Sequence, residues 1–338
     1  MSNDSKVINP STPAPSVMVS AMVAPVCLRR KALVVAGAFV IATATSACSA
    51  GGPAQTAPSA PDSPPPTQVA ASTPTASPTA SPTASSTAIR KVNANYKKFN
   101  PDDFVDPLSS QNSWYPLVPG TQTLRDGSIT RGSRKLKHEL RVTVTDVVKE
   151  IDGVPAVLVL DQDIDAKQVG EASVDYLAQD KFGNVWYLGS YTEIYEGGQF
   201  INAPDAWLAG KSGAKPGVWM MADPKEGMKY VQAQTREETI RAEVAKVGDR
   251  KCTPFKCFNS LAILEDGSEF KYFGPGVGHI ATEPNYSGGE QETEELVNVV
   301  KLTPKGLAEF SNEALKLDKR ARTEAKSVFG NSDPAQRA

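Results

Sequence analysis

Apolar and polar residues alternate with a period of two along much of the chain after residue 91. Residues 140–145, Leu-Arg-Val-Thr-Val-Thr, have the pattern of a strand with one buried face. Residues 154–160 form a second run, rich in valine and leucine. Repeated short runs of this kind predict about ten to twelve strands between Trp114 and Thr303.

Glycine-containing turn sequences separate these runs. Asp-Gly pairs favour tight hairpin turns because both residues adopt positive backbone angles readily. Predicted reversals lie at Asp126-Gly127, Asp152-Gly153, Phe182-Gly183-Asn184, Gly197-Gly198 and Asp266-Gly267. No alternation of strands with helices is present between them, which argues against doubly wound nucleotide-binding folds. The expected fold of residues 91–303 is mainly β, an antiparallel curved sheet that forms a barrel or a sandwich.

The C-terminal region has a helical period instead. Thr303 suits an N-cap, Pro304 suits the first turn and Gly330 suits the end, so one α-helix is predicted over residues 304–329. Its apolar stripe consists of Leu307, Phe310, Ala314, Leu317, Ala321 and Val328. We expect the stripe to pack on the open edge or mouth of the sheet. Residues 330–338 are predicted to be a disordered tail.

The first 47 residues are typical of an export signal of the lipoprotein type. Arg29-Arg30-Lys31 precede an apolar run, residues 32–42, that is too short to span a bilayer. Small residues then lead to Cys48, as in the lipobox of bacterial lipoproteins. We therefore predict that Cys48 carries acyl chains such as palmitate. The alternative is ordinary signal-peptide cleavage nearby, with Cys48 incidental.

Residues 48–90 have the composition of a tether. Ser, Thr, Pro and Ala make up 34 of the 41 residues from 49 to 89. Such a segment buries too little apolar surface to fold, and its prolines favour an extended spacer. Together with the lipid signal, it predicts an extracytoplasmic protein anchored to the cell membrane by lipid.

The charge of the chain is nearly balanced. It contains 36 basic and 38 acidic residues, and the formal net charge is −2. This balance excludes a strongly basic nucleic-acid-binding protein, so the expected partners are the membrane and an apolar or carbohydrate ligand.

Two of the four cysteines, Cys252 and Cys257, fall in the predicted β-domain. Outside the cytoplasm such a pair is most simply a disulfide. A zinc site would need two further ligands, and the only histidines are His138 and His279. We therefore expect no metal and no cofactor.

Candidate chemistry along the rest of the chain is sparse. The carboxylates of Asp161–Asp165 alternate as in a calcium loop, but the loop's later glycine and glutamate are missing, so we expect the solvated end of a strand. His138 is expected at the surface. His279 follows the glycine-rich residues 274–278 and is the better candidate for a ligand contact. No Gly-x-Ser-x-Gly sequence is present.

Trp186 and Tyr187 lie in a strand-like run and are further candidates for ligand contact. Aromatic side chains there could stack on a sugar or another planar ligand. Packing in the core, with a polar tip reaching outward, is the interpretation we favour for both.

Three segments resemble a loosely defined group of bacterial envelope lipoproteins of uncharacterised function. They are Tyr-Pro-Leu-Val-Pro-Gly-Thr at 115–121, Ala-Gln-Asp-Lys-Phe-Gly-Asn-Val-Trp-Tyr at 178–187, and Tyr-Phe-Gly-Pro-Gly-Val-Gly at 272–278. The resemblance spans roughly residues 112–283 and implies a secreted all-β domain. It supplies no catalytic residues.

The sequence thus favours a non-catalytic domain that binds an apolar or envelope-derived ligand, or acts as a scaffold. The alternative is a hydrolase acting on wall polysaccharide or lipid. A deep polar cleft with two facing carboxylates, or with His279 beside a hydroxyl, would favour the hydrolase, and a dry apolar concavity would favour a carrier.

Overall fold

The computed structural model describes residues 98–104, 106–108, 110–131, 134–165, 167–287 and 291–338. The predicted export signal, the tether and Cys48 lie outside these residues.

The described domain is built mainly from antiparallel strands, with one long helix near the C-terminus. A short 3-10 helix, Pro101–Asp103, precedes the strands. The strands are β1 Thr121–Arg131, β2 Arg134–Ile151, β3 Val154–Asp165, β4 Gln168–Gln179, β5 Val185–Glu196, β6 Gln199–Leu208, β7 Lys215–Met220, β8 Lys229–Gln234, β9 Thr239–Cys252, β10 Cys257–Glu265, β11 Glu269–Gly274, β12 Gly278–Pro284, β13 Glu292–Lys301 and β14 Gln336–Arg337. The helices are α1 Pro304–Glu324 and α2 Lys326–Phe329.

Twelve of these strands form a closed barrel. The order is β1-β13-β12-β11-β10-β9-β8-β7-β5-β4-β3-β2, and β2 pairs with β1 again to close the ring. Strand β6 pairs with β5 and β14 pairs with β2, both outside the ring. The prediction of a mainly β, antiparallel domain is confirmed, and the barrel is the correct alternative. The thirteen strands β1 to β13 slightly exceed the ten to twelve predicted.

Four of the five predicted reversals connect neighbouring strands. Asp152-Gly153, for example, joins β2 to β3, with positive φ at both residues. The prediction at Asp126-Gly127 is wrong, because both residues lie inside β1 and pair with β13 and β2. A Cβ atom at Gly127 would overlap the backbone of Thr293, so this glycine permits close approach of two strands.

Helix α1 begins as predicted. The side chain of Thr303 accepts a hydrogen bond from the backbone N–H of Gly306, and Pro304 occupies the first turn. The α-helix ends at Glu324, and the separate turn α2 follows it. The expected position at an open edge is wrong: the ring is closed, and α1 packs on its outer face over β2, β3 and β4.

Two residues of the predicted disordered tail, Gln336 and Arg337, form the short strand β14. Gln336 and Arg337 pair with Val148 and Val147 of β2. The guanidinium of Arg337 also forms an ion pair with Asp146. These bonds satisfy backbone groups of β2 outside the ring.

Strand alternation separates an inner from an outer face of the barrel. Leu158, Leu160 and Tyr176 lie on the outer face, under α1 and α2, and all are at most 1% exposed. Asp161 and Asp163 lie on the opposite face of β3, which is directed to the interior. The outer face beneath the helices is therefore mainly apolar, and the interior carries several charged groups.

The predicted disulfide is present. Cys252 and Cys257 pair across the β9–β10 hairpin, with their Cα atoms 3.8 Å apart, and are joined by a bond. Among the helices of the described residues, none has the length and apolar character needed to cross a membrane.

Candidate functional site: the charged interior of the barrel

The most distinctive chemistry of the described residues lies inside the barrel, where β1, β2, β3 and β13 are neighbours. We call His138, Asp163, Asp165, Glu292 and Glu294 the His138 cluster. Strand register brings its members together: His138 pairs with Asp165 on β3, and Gly127 of β1 lies opposite both His138 and Glu294. Because Gly127 has no side chain, the imidazole and the carboxylates on either side of it can meet.

His138 is held by carboxylates on both of its ring nitrogens. Its Nδ1 lies 3.0 Å from Oδ1 of Asp165, at hydrogen-bonding distance. Its Nε2 lies 3.2 Å from Oε1 of Glu292 and 3.9 Å from Oδ2 of Asp163. The Nε2 atom is buried, and no group of the described residues forms a hydrogen bond with it. The 3.2 Å approach to Glu292 is therefore an ion-pair contact whose angles are unsuited to a hydrogen bond.

Arg125 extends the cluster on β1. Its Nε donates a hydrogen bond of 2.6 Å to Oε2 of Glu294, and both side chains are at most 4% exposed. Burial raises the pKa of Glu294, and Arg125 opposes that rise. Burial also disfavours the charged form of Glu292, but the hydrogen bond with Glu294 and the nearby His138 outweigh it and lower the Glu292 pKa to about 2.

The pKa of His138 is also set by two opposing effects, burial and the nearby carboxylates. Burial alone would lower it, but the contacts with the carboxylates of Asp165 and Glu292, and then the charge of Asp163, outweigh that effect. They raise the pKa of His138 to about 11. The interior of the barrel at this point therefore stabilises a positive charge.

Three members of the cluster could also hold a metal ion. One ligand atom from each of His138, Glu292 and Glu294 can be chosen so that all three lie within 4.8 Å of one another. An imidazole nitrogen and two carboxylates form a donor set that divalent transition metals accept.

The structure corrects two expectations from the sequence. His138 is 1% exposed rather than at the surface. Asp163 is 7% exposed and faces the interior, so the end of β3 is not solvated along its whole length. A usable signal was present, because period two places His138 on the same strand face as Leu140, Val142 and Val144.

His279 occupies a different part of the interior. It lines a cavity of about 30 Å³ together with Tyr115 and Arg125. Its Nε2 lies 2.9 Å from the carbonyl oxygen of Ala281 and 3.0 Å from Oγ1 of Thr282. Burial, and then the charge of Arg125, hold the pKa of His279 well below its ordinary value. The imidazole is therefore neutral, and its role in ligand contact stays a prediction.

Trp186 and Tyr187 are both buried, at 4% and 6% exposure. The indole of Trp186 packs against the rings of Phe99 and Phe104, and its Nε1 donates a hydrogen bond of 2.8 Å to Asp180. The hydroxyl of Tyr187 donates a bond of 2.7 Å to Asp175. The surroundings are those of core side chains with satisfied polar tips, and a ligand contact at either residue stays a prediction.

The three segments of the family resemblance meet in space. The backbone N–H of Gly276 donates to the carbonyl of Ser113, and the rings of Tyr115 and Phe273 lie 6.3 Å apart. The side chain of Asn112 donates to the carbonyl of Gly183 in the middle segment. Residues 112–115, which lead into the first segment at Tyr115, thus hold the second and third segments in place, which is a structural role.

No model of a known protein family matches the chain, and no curated protein matches it. Two solved structures are similar in part. One is a predicted exported protein with a YmcC-like fold from Bacteroides fragilis (12% identity, TM-score 0.31, covering 56% of this chain and 100% of that one). The other is a predicted lipoprotein from Parabacteroides distasonis (12% identity, TM-score 0.30, covering 57% of this chain and 100% of that one). Scores at this level carry no conclusion about fold or function.

Proposed function

We propose that this chain is a lipid-anchored protein of the cell envelope whose β-domain is a non-catalytic binding or scaffold module. The observation that carries the proposal is that side chains fill the part of the barrel interior around Arg125. Tyr115 and the charged groups around Arg125 occupy the interior, and the cavity beside them measures only about 30 Å³. That volume holds one or two water molecules, whereas ligand pockets usually measure about 300–1,000 Å³.

This filling favours contact through the outer surface of the barrel. Phe200 and Ile201, near the tip of the β5–β6 hairpin, are 37% and 45% exposed. Strand β6 lies outside the ring, paired with β5. These two side chains offer an apolar contact for an envelope-derived ligand, at the end of a tether that could extend roughly 100 Å from the membrane.

The hydrolase alternative has less support. Glu294 is a buried carboxylate and Glu292 a partly buried one, and their pKa values shift in opposite directions, as in an acid–base pair. However, they are hydrogen-bonded to each other inside the barrel. Glycoside hydrolases hold their two carboxylates about 5–9.5 Å apart with the sugar bond between them. The contact between these two leaves no room for such a substrate.

Acylation of Cys48 tests the anchor. Cells fed a fatty-acid analogue should label the wild-type chain and leave Cys48→Ala unlabelled, since the thiol is the acceptor of the proposed lipid. Two acyl chains are needed for stable anchoring, so the variant should also leave the membrane fraction. Equal labelling of both chains would refute the anchor.

Native mass spectrometry tests the binding module. The protein extracted from the membrane of its own host should carry a co-purifying lipid or glycan, and the double variant Phe200→Ser/Ile201→Ser should lose it. Val231→Ser is the matched control, because Val231 is 39% exposed on a different strand. Bare wild-type protein that hydrolyses wall polysaccharide or lipid would support the alternative instead.

A further inference from the structure

We infer that the His138 cluster is a binding site for one divalent transition-metal ion of the Zn²⁺ or Mn²⁺ class, with His138, Glu292 and Glu294 as ligands. This inference is independent of the proposed envelope function. It begins with the buried Nε2 of His138, which lies 3.2 Å from Oε1 of Glu292 in an ion-pair contact without hydrogen-bond geometry. Buried polar atoms in folded proteins are nearly always hydrogen-bonded, so this geometry requires an explanation.

The other ring nitrogen is placed as in metal sites. Nδ1 of His138 lies 3.0 Å from Oδ1 of Asp165, whose side chain is 20% exposed. Histidines that bind metals typically donate their second N–H to a carboxylate, which fixes the tautomer and the orientation of the ring. Asp165 is therefore a positioning residue, and it leaves Nε2 as the ligand atom.

The ligand atoms suit a transition metal. They are a ring nitrogen of His138, which gives up its proton when the ion binds, and oxygens of Glu292 and Glu294. Arg125 engages Oε2 of Glu294, and Glu292 and Glu294 are hydrogen-bonded to each other, so a bound ion would replace that bond between the two carboxyl groups. The mixture of a nitrogen donor with oxygen donors suits Zn²⁺ or Mn²⁺ better than Ca²⁺ or Mg²⁺, which take oxygen ligands.

An ion could reach the cluster from the end of the barrel. Glu292 is the first residue of β13 and Asp165 the last of β3, and the side chains of both are 20% exposed. The side chains of His138 and Glu294 are 2% and 4% exposed. The site therefore lies just below the surface, with its entrance on the carboxylate side.

A purely structural ion pair would have a different geometry. Inside the same barrel, Arg125 and Glu294 form a hydrogen bond of 2.6 Å. The contact between His138 and Glu292 has a similar charge pairing but lacks hydrogen-bond geometry. The difference is expected if the two groups are arranged around a third atom.

The test is binding of Zn²⁺ and Mn²⁺ to the purified full chain after dialysis against EDTA. Competition with a chromophoric chelator gives the affinity, and elemental analysis after desalting gives the stoichiometry. We expect one ion per chain and at least about a tenfold loss of affinity in His138→Gln and in Glu292→Gln. Glu313→Gln is the matched control for the removal of a carboxylate: Glu313 pairs with Lys316 at the surface of α1, and this variant should bind the ion as the wild type does.

A second readout needs no substitution. Because the chain has two histidines, their ring nitrogens give separate nitrogen NMR signals, and added Zn²⁺ should shift Nε2 of His138 and leave His279 unchanged. Far-UV circular dichroism shows whether each variant is folded. If a variant is not folded, the nitrogen NMR spectra of the wild type with added Zn²⁺ test the inference alone. The inference is overturned if neither ion binds the wild type, if folded His138→Gln binds equally well, or if the shift falls on His279.

Discussion

The outer layer of the barrel and its interior bury polar groups in different ways. On the outside, beneath α1, Lys149 and Asp318 form an ion pair of 2.9 Å at 0% and 3% side-chain exposure. Asp318 also accepts hydrogen bonds from the hydroxyl of Tyr176 and from the backbone N–H of Ala335, and Lys149 donates to the carbonyl of Asp333. Every one of these groups has a partner supplied by the fold.

In the interior, the His138 cluster contains more charged groups. Arg125 and Glu294 are hydrogen-bonded, but Nε2 of His138 faces Glu292 without a hydrogen bond. The outer pair is surrounded by apolar side chains such as Phe329 and Leu317, whereas the interior site is surrounded by further carboxylates.

This difference separates a structural polar cluster from a candidate binding site. A buried charge pair that exists for the fold needs all its bonds, because each unmet bond in a dry environment costs about 1–3 kcal/mol. A site that binds an ion keeps one ligand atom directed at the place where the ion will be. Changes to the outer layer should therefore affect stability, and changes to the His138 cluster should affect ion binding.

The largest stability effect is expected for Trp186→Ala, which removes the biggest side chain of the outer layer. Trp186 is 4% exposed, lies on the strand face opposite Tyr187 and is covered by Phe99 and Phe104. Losing its contacts and leaving a cavity should lower the free energy of unfolding by about 3–5 kcal/mol. Urea unfolding of the variant and the wild type measures the change.

Phe255→Ala is the matched control, because Phe255 is 39% exposed and its removal should change the stability by no more than about 0.5 kcal/mol. If Trp186→Ala leaves the unfolding midpoint unchanged, this aromatic group belongs to a ligand surface, and carbohydrate binding becomes the better interpretation.

The sequence predicts the local parts of the fold well. The turn at Asp152-Gly153, the cap at Thr303 and the cross-strand cysteines depend on residues close together in the chain, and all three are present. Closure of the ring depends on the pairing of β1 with β13. These two strands are far apart in the chain, since Arg125 on β1 and Glu294 on β13 have a sequence separation of 169. No local pattern encodes that pairing, so barrel and sandwich could not be separated.

The candidate site was missed for a related reason. His138, Asp165 and Glu292 come from three strands, and only the closed barrel brings them together. A histidine beside a glutamate in a polar stretch resembles a surface position when each strand is considered alone. The shared face of His138 and Leu140 was the local indication of burial, since alternate residues of a strand lie on the same side.

A smaller loss of stability is expected for Asp318→Asn, which tests whether the outer pair is purely structural. The amide keeps the size of the carboxylate but leaves Lys149, whose pKa burial already lowers, without its counter-charge. Removing one partner of a buried pair costs about 3–5 kcal/mol, and we expect the lower end because the amide oxygen can still accept from Tyr176. Urea unfolding measures the loss, and Zn²⁺ affinity should stay that of the wild type.

Glu313→Gln controls for the removal of a carboxylate from the same helix. Glu313 pairs with Lys316 at the surface, where the two side chains are 50% and 64% exposed, so its loss should change the stability by at most about 0.5 kcal/mol. If Asp318→Asn is as mild as this control, the outer pair is not a stabilising element. If Asp318→Asn weakens Zn²⁺ binding while remaining folded, the two regions are coupled, and the division between a structural outer layer and a binding interior is wrong.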